Sequence, residues 1–175
     1  MLYNVGNCGA RWGNWPTNPQ QMGPKWGGVA QMFLGSYLHG IDSKGRLTLP
    51  AKFRPELATG VVVTRGLDGC LWVFPIDMWK ELAEKINSLP TTQKDSRDFA
   101  RYMFSRASDC VPDKQGRILL PTHLREFANL DGETVILGAQ RYLEIWNAAQ
   151  WKEAESKLEK EGDTIAERLA QVGLP

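Results

Sequence analysis

Two short segments hold the residue types best suited to chemistry. Asp42-Ser43-Lys44-Gly45-Arg46 and Asp113-Lys114-Gln115-Gly116-Arg117 each place a carboxylate four positions before an arginine, with glycine between them. Glycine supplies the positive φ that a tight turn needs, and Asp can both cap the turn backbone and pair with Arg. Either segment alone is a well-made hairpin turn. Recurrence argues for more, because each is followed by a short apolar run and a proline: Leu47-Thr48-Leu49-Pro50 and Ile118-Leu119-Leu120-Pro121. A guanidinium is a planar fork that bridges phosphate oxygens or the O6 and N7 of guanine, whereas lysine acts as a mobile point charge. Arg46 and Arg117 are therefore candidate base readers, and Asp42 and Asp113 candidate orienters of the fork. Lys44 and Lys114 are candidate phosphate contacts, and Arg54 and Arg125 add cations across the segment that each proline initiates.

The surrounding residues must position these turns. Phe33, Tyr37 and Ile41 interleave with glycine and polar residues, which predicts a strand entering the first turn. Leu49, Phe53 and Leu57 recur every fourth residue after Pro50, the spacing of a short helix with one buried face. Val61-Val62-Val63-Thr64 and Leu71-Trp72-Val73-Phe74 flank Gly66-Leu67-Asp68-Gly69 and read as a hairpin. The same grammar returns in the second half. Asp113 to Pro121 aligns with Asp42 to Pro50 without a gap, and Arg125 then falls on Arg54. Thr134 to Leu137 echoes the valine run, and Tyr142 to Trp146 echoes Cys70 to Phe74. Two copies of one β-rich unit, related by a pseudo-two-fold, follow from this duplication.

Helical spacing marks Ile76, Trp79, Leu82, Ala83 and Ile86, ending at Leu89-Pro90. A second helix is expected through Phe99, Met103 and Phe104, and a terminal helical region from Trp151 to Leu169, interrupted near Gly162. The Glu/Lys-rich stretch from Lys152 to Glu161 is read as a solvated helix face. The expected organisation is an extension over 1–31, a first unit over 32–80, a helical connection over 81–106, a second unit over 107–153 and a helical tail over 154–175. The fold class is α+β and β-rich.

Composition narrows the function classes. Lys plus Arg number 21 against 20 acidic residues, a net charge of +1, so any attraction for nucleic acid must come from a local patch. Cys8, Cys70 and Cys110 are far apart and stand in no metal-ligand spacing with His39 or His123, so neither a metal nor a disulfide scaffold is expected. No run approaches the roughly 20 apolar residues of a membrane span, and the cytoplasm is the default address. His39 and His123 read as half-exposed structural residues, Trp72, Trp79, Trp146 and Trp151 as core or subunit contacts, and Cys70 and Cys110 as packing. Ser105 and Ser108 lack a His-Asp arrangement to activate them.

These residues resemble the MraZ family, in a Met-Phe-x-Gly start at Met32-Phe33-Leu34-Gly35 and in the two Asp-x-x-x-Arg motifs taken in order. The resemblance runs from Met32 to about Trp151. It implies a pair of AbrB-like swapped-hairpin units forming a pseudo-two-fold β-barrel, and homo-oligomeric rings. It also implies a nucleoid-associated transcriptional regulator, a repressor, that binds repeated TGGG boxes in double-stranded DNA upstream of its own gene in the division and cell-wall cluster. The family's DNA-contacting arginines fall on Arg46 and Arg117, beside Lys44 and Lys114. No cofactor, small-molecule substrate or membrane is implied.

Two other function classes compete with this one. Swapped-hairpin proteins include antitoxin-like modules that neutralise a protein partner, but those carry one unit and a wrapping tail, where this chain has a second unit. An enzyme acting on a phosphorylated substrate would need a glycine-rich phosphate loop or a metal cluster, and an Asp already paired with Arg is a poor general base. Residues 1–31 are rich in Gly, Asn, Pro and Gln with Arg11 and Lys25 as their only charges, and read as an unpacked, disordered extension. They have a second reading. Trp-Gly is encoded as TGGGG plus one base and Met-Gly as ATGGG plus one base, so Trp12-Gly13, Met22-Gly23 and Trp26-Gly27 each imply a TGGG in the gene. On that reading the extension is upstream operator translated on paper, and Met32 is the start.

Overall fold

A computed structural model describes residues 32–172. The expectations for residues 1–31 lie outside them. The apolar alternation seen in the sequence becomes eight strands: β1 (Phe33–Gly40), β2 (Arg46–Thr48), β3 (Val61–Arg65), β4 (Leu71–Pro75), β5 (Ser108–Cys110), β6 (Arg117–Leu119), β7 (Glu133–Gln140) and β8 (Leu143–Asn147). Five helices accompany them: α1 (Arg54–Leu57), α2 (Ile76–Asn87), α3 (Lys94–Phe104), α4 (Thr122–Phe127) and α5 (Ala148–Ala170). A 3₁₀ turn, Ala51–Phe53, leads into α1. The architecture is α+β.

Six strands form one antiparallel sheet in the order β1-β7-β8-β4-β3-β5, and β2 pairs with β6 in a separate two-stranded ribbon. Replacing each strand by its equivalent in the other copy turns the sheet order into its own reverse, so the duplication in sequence is a two-fold pattern in space. Neither copy is complete by itself. Strand β1 pairs with β7, β3 with β5 and β2 with β6, and each of these ladders joins one copy to the other. The sheet is open, with β1 and β5 at its edges, rather than a closed barrel.

The reason for interleaving lies in the buried residues. Leu47 and Ile118 are partners in the β2/β6 ladder and both are fully buried, as are Leu49, Leu57, Leu71, Leu124, Ile136, Leu143 and Ile145. All belong to one core drawn from both copies. Each such side chain contributes about 1.5–3 kcal/mol through burial, which a half-length unit with an open ladder would forgo. Thr64, buried among apolar residues, satisfies its hydroxyl by donating to the Met103 carbonyl at 2.7 Å.

Helix α5 runs through Gly162 without the expected interruption. Glycine keeps its backbone N–H and only weakens a helix, by roughly 1 kcal/mol against alanine, and the runs Lys157 to Glu161 before it and Ala166 to Leu169 beyond it are strong helix formers. The tryptophans sit where core packing predicts: Trp79 meets Phe104 edge-on at 5.5 Å, and Trp146 meets Trp151 at 5.6 Å. Burial pushes the Cys70 thiol up to about 12 and the Cys110 thiol to about 11, so both are protonated packing groups at neutral pH. Among the described residues no helix is long and apolar enough to cross a membrane.

Candidate nucleic-acid interface

The two turns are built alike, atom for atom. In the first, one Asp42 oxygen accepts the backbone N–H of Lys44 at 2.9 Å and of Arg46 at 3.0 Å, and the other accepts Arg46 Nε at 2.8 Å with Nη2 also at 2.8 Å. In the second, Asp113 accepts the N–H of Gln115 and Arg117 at 2.9 and 3.0 Å, then Arg117 Nε at 2.7 Å with Nη2 at 2.6 Å. Gly45 and Gly116 close the turns at φ +77 and +74, a region where a side chain is strained. Each carboxylate therefore holds one edge of its guanidinium. The Nη1 group of each arginine has no hydrogen-bond partner among the described residues.

The carboxylates titrate accordingly. The backbone N–H and guanidinium of Arg46 hold Asp42 below its ordinary 3.8. The Arg117 guanidinium, at shorter range, holds Asp113 down to about 2. A depressed carboxylate pKa means the paired form persists as pH falls below 3.8 and is lost only through the lower value. In a carbon-detected NMR titration Asp113 is expected to show a midpoint near 2, returning toward 3.8 in Arg117→Ala; an ordinary midpoint in the unmodified protein would contradict the pairing.

The ribbon decides where the arginines point. Opposed residues in an antiparallel ladder share a face, so Arg46, Thr48, Arg117 and Leu119 lie together on one side while Leu47 and Ile118 fill the other. Neither guanidinium is sealed: side-chain exposure is 32% for Arg46 and 25% for Arg117. Lys44 and Lys114 are both exposed beside them, though at different places, since Lys44 occupies in its turn the position of Gln115 and Lys114 that of Ser43. Thr48 and the exposed Leu119 were not singled out by sequence. Their alternation with buried neighbours was visible, but the ladder that brings them beside the arginines joins distant parts of the chain.

Arg54 and Arg125 are arranged crosswise. Arg54 Nε donates to the Leu49 carbonyl at 3.0 Å, yet its side chain lies over Gly116 of the other turn, where a side-chain carbon on that glycine would collide with it. Arg125 Nε donates to the Leu120 carbonyl at 3.1 Å and lies over Gly45, 3.0 Å from where a side-chain carbon would stand. The turns are also cross-tied by backbone, Leu49 N–H to Gly116 O and Leu120 N–H to Gly45 O, 2.8 and 2.9 Å. Sequence placed each of these arginines with its own copy; the fold gives each to the other. His39 is half-buried in β1, and burial, then the Arg54 charge, hold it below 6.5, so it is neutral at pH 7. His123 is exposed, with Nε2 3.3 Å from the Arg106 carbonyl oxygen.

Fold and site together define a class: a tandem-duplicated α+β protein whose copies share one core and set two matching Asp–Arg turns on a single two-stranded ribbon. The family model described as "MraZ protein, putative antitoxin-like" matches the chain twice, over residues 32–102 and 103–173. A protein of Pediococcus pentosaceus named Transcriptional regulator MraZ is 48% identical over 143 residues, covering 82% of this chain and 100% of that protein. One of the same name from Desulfitobacterium hafniense gives the same figures, and one from Moorella thermoacetica is 47% identical over 138 residues, covering 79% of this chain and 96% of its own. The chain belongs to the MraZ family.

Proposed function

We propose that this chain is a sequence-specific DNA-binding transcriptional regulator that represses its own operon in the division and cell-wall gene cluster. It reads repeated TGGG boxes upstream of its gene through the two Asp-x-x-x-Arg turns. The observation that carries this reading is the placement of Arg46 and Arg117 on one outward face of the β2/β6 ribbon, each with one guanidinium edge held by an aspartate. A major groove admits a two-stranded ribbon, and the edge left by the aspartate, Nη1 with Nη2, is the fork that matches guanine O6 and N7. Diagonal neighbours on such a ribbon are about 7–8 Å apart, or roughly two base steps of about 3.4 Å, which suits the first and third guanines of one TGGG box.

Lys44 and Lys114 contact phosphate and position the ribbon, and Arg54 and Arg125 add charge behind it. Leu119, apolar and 58% exposed, suits a thymine methyl. The cross-copy ladders support describing the two units as AbrB-like swapped hairpins within one pseudo-two-fold β-rich body. The chain works as a homo-oligomeric ring, in which several ribbons engage several boxes and gain avidity. The names carried by its relatives support regulation of transcription; a regulator that binds operator DNA works in the cytoplasm at the nucleoid.

A footprint on the protein's own upstream region tests the reading. Protection over consecutive TGGG boxes is expected, with affinity falling steeply as salt rises from 50 to 200 mM, as phosphate neutralisation requires. Equal protection of a scrambled fragment would end the claim to sequence recognition.

A further inference from the structure

The pseudo-two-fold sets two equivalent grooves on the sheet face that bears α2 and α5, and the chain itself fills only one of them. In the first, the β7–β8 hairpin closes against α2. Arg141 Nη2 donates to Glu81 and stands 3.1 Å from Met78 Sδ, while the Tyr142 ring packs on Phe74 at 5.1 Å and on Trp72 at 5.2 Å. The space left there is about 260 Å³. In the second, the β3–β4 hairpin faces α5. Asp68 and Gln140, both at positive φ, mark the same point of the two hairpins, so Gly69 and Cys70 stand where the other has Arg141 and Tyr142. A side-chain carbon on Gly69 would meet nothing within 4 Å. Ala154 in the place of Leu82 widens the opening further, and this groove is about 700 Å³, floored by Leu137, Trp146, Trp151 and Leu158.

The helix positions that hold Arg141 in the first groove are acceptors in the second. Glu153 and Gln150 follow Glu81 and Met78 by the interval that also takes Phe74 to Trp146 and Trp79 to Trp151. Glu153 is exposed and in no ion pair among the described residues. Gln150 Oε1 is buried without a hydrogen-bond partner, a costly state that an incoming donor would relieve. Asp68 and Glu161 add negative charge at the rim, against Lys157 alone.

We infer that this second groove docks another protein through a segment carrying an arginine followed by a large aromatic residue, which does between molecules what Arg141 and Tyr142 do within the chain. The guanidinium fork meets Glu153 and Gln150 Oε1, and the ring enters the apolar floor beside Trp146. Arginine and tyrosine are also the residue types that concentrate binding energy at interfaces. A second copy is a poor source of the segment. Among the described residues its arginine–aromatic pairs are Arg101-Tyr102 and Arg141-Tyr142; the Tyr102 hydroxyl donates to the Gly66 carbonyl at 2.6 Å, and Arg141 is clasped by Glu81. Leu143 and Ile145 join the core that holds Leu47 and Ile118, whereas Leu137 and Trp146 pack on the other side of the sheet. The groove therefore faces away from the ribbon, and the inference does not rest on the DNA reading.

A peptide copying the filled groove tests it: residues 137–143, Leu-Gly-Ala-Gln-Arg-Tyr-Leu, closed into a hairpin by a disulfide between added terminal cysteines. It is titrated into the full chain labelled with 5-fluorotryptophan. Sub-millimolar binding is expected, with the fluorine signals of Trp146 and Trp151 shifting and that of Trp79 unmoved. Alanine for the peptide's arginine, or Glu153→Gln in the protein, should weaken binding about tenfold or more, as loss of a charge-assisted hydrogen bond requires. Gln150→Met should weaken it as well, and Glu81→Gln, in the filled groove, should leave it unchanged, all with the wild-type melting temperature. Three results would overturn the inference: no shift at millimolar peptide, equal binding by Glu153→Gln, or a native mass that falls in Glu153→Gln, which would give the groove to a second copy. Gel shifts of operator DNA with and without the peptide read the ribbon separately, so either claim can fail alone.

Discussion

Replacing Arg46 and Arg117 together by alanine is expected to abolish operator binding in a gel shift while leaving the melting temperature nearly unchanged. Each bidentate contact to guanine is worth about 1–3 kcal/mol of discrimination, and a factor of ten in affinity corresponds to about 1.4 kcal/mol. Losing both contacts in one subunit weakens binding on the order of 30-fold to 10⁴-fold, and avidity multiplies the loss across repeated boxes. Stability should hold for a separate reason. Both Asp–Arg pairs keep access to solvent, with about a quarter to a third of each arginine side chain exposed, and ion pairs at a wet surface contribute little to folding. The aspartates also keep their backbone donors at Lys44 and Gln115, so each turn stays capped. Arg46→Lys separates charge from shape: a single ammonium retains salt-dependent attraction but loses the fork, so discrimination between TGGG and a scrambled site should shrink more than total binding does. Equal affinity of the wild type and the double alanine variant for the operator would refute the role assigned to the ribbon.

The second large effect concerns the floor beneath those arginines. Ile118→Ala is expected to lower unfolding free energy by about 2–5 kcal/mol, seen as a lower urea midpoint at unchanged slope. Ile118 is fully buried against Leu47 in a ladder of only three residue pairs, with both copies dependent on it. Its neighbour Leu119 points to the opposite face, so Leu119→Ala should alter stability by no more than about 0.5 kcal/mol while weakening operator binding. The two variants differ by one position along β6 and separate core from contact surface. A similar loss of stability in both would mean that the outer face is covered by protein.

The contrast between Arg46 and Arg54 shows what could be read from the chain itself. The aspartate and the arginine of each turn are four residues apart, close enough that local backbone geometry brings them together, and their repetition marks them in the sequence. The short strand after each turn, the hairpins and the first two of the long helices are likewise local patterns of apolar spacing. Gly162 misled for the opposite reason, because a residue that usually marks a boundary was outvoted by strong helix formers on both sides.

Sequence by itself determined that there are two equivalent units, where their turns lie and which side chains in them carry charge. Only the tertiary structure decided that the copies interleave, so that β2 finds its partner in β6, Arg54 lies over the second turn and both guanidiniums share one face. Local spacing is set by covalent geometry and short-range hydrogen bonds. The choice of ladder partner depends on burying Leu47, Ile118 and their neighbours in a single core, a collective property of residues scattered along the whole chain.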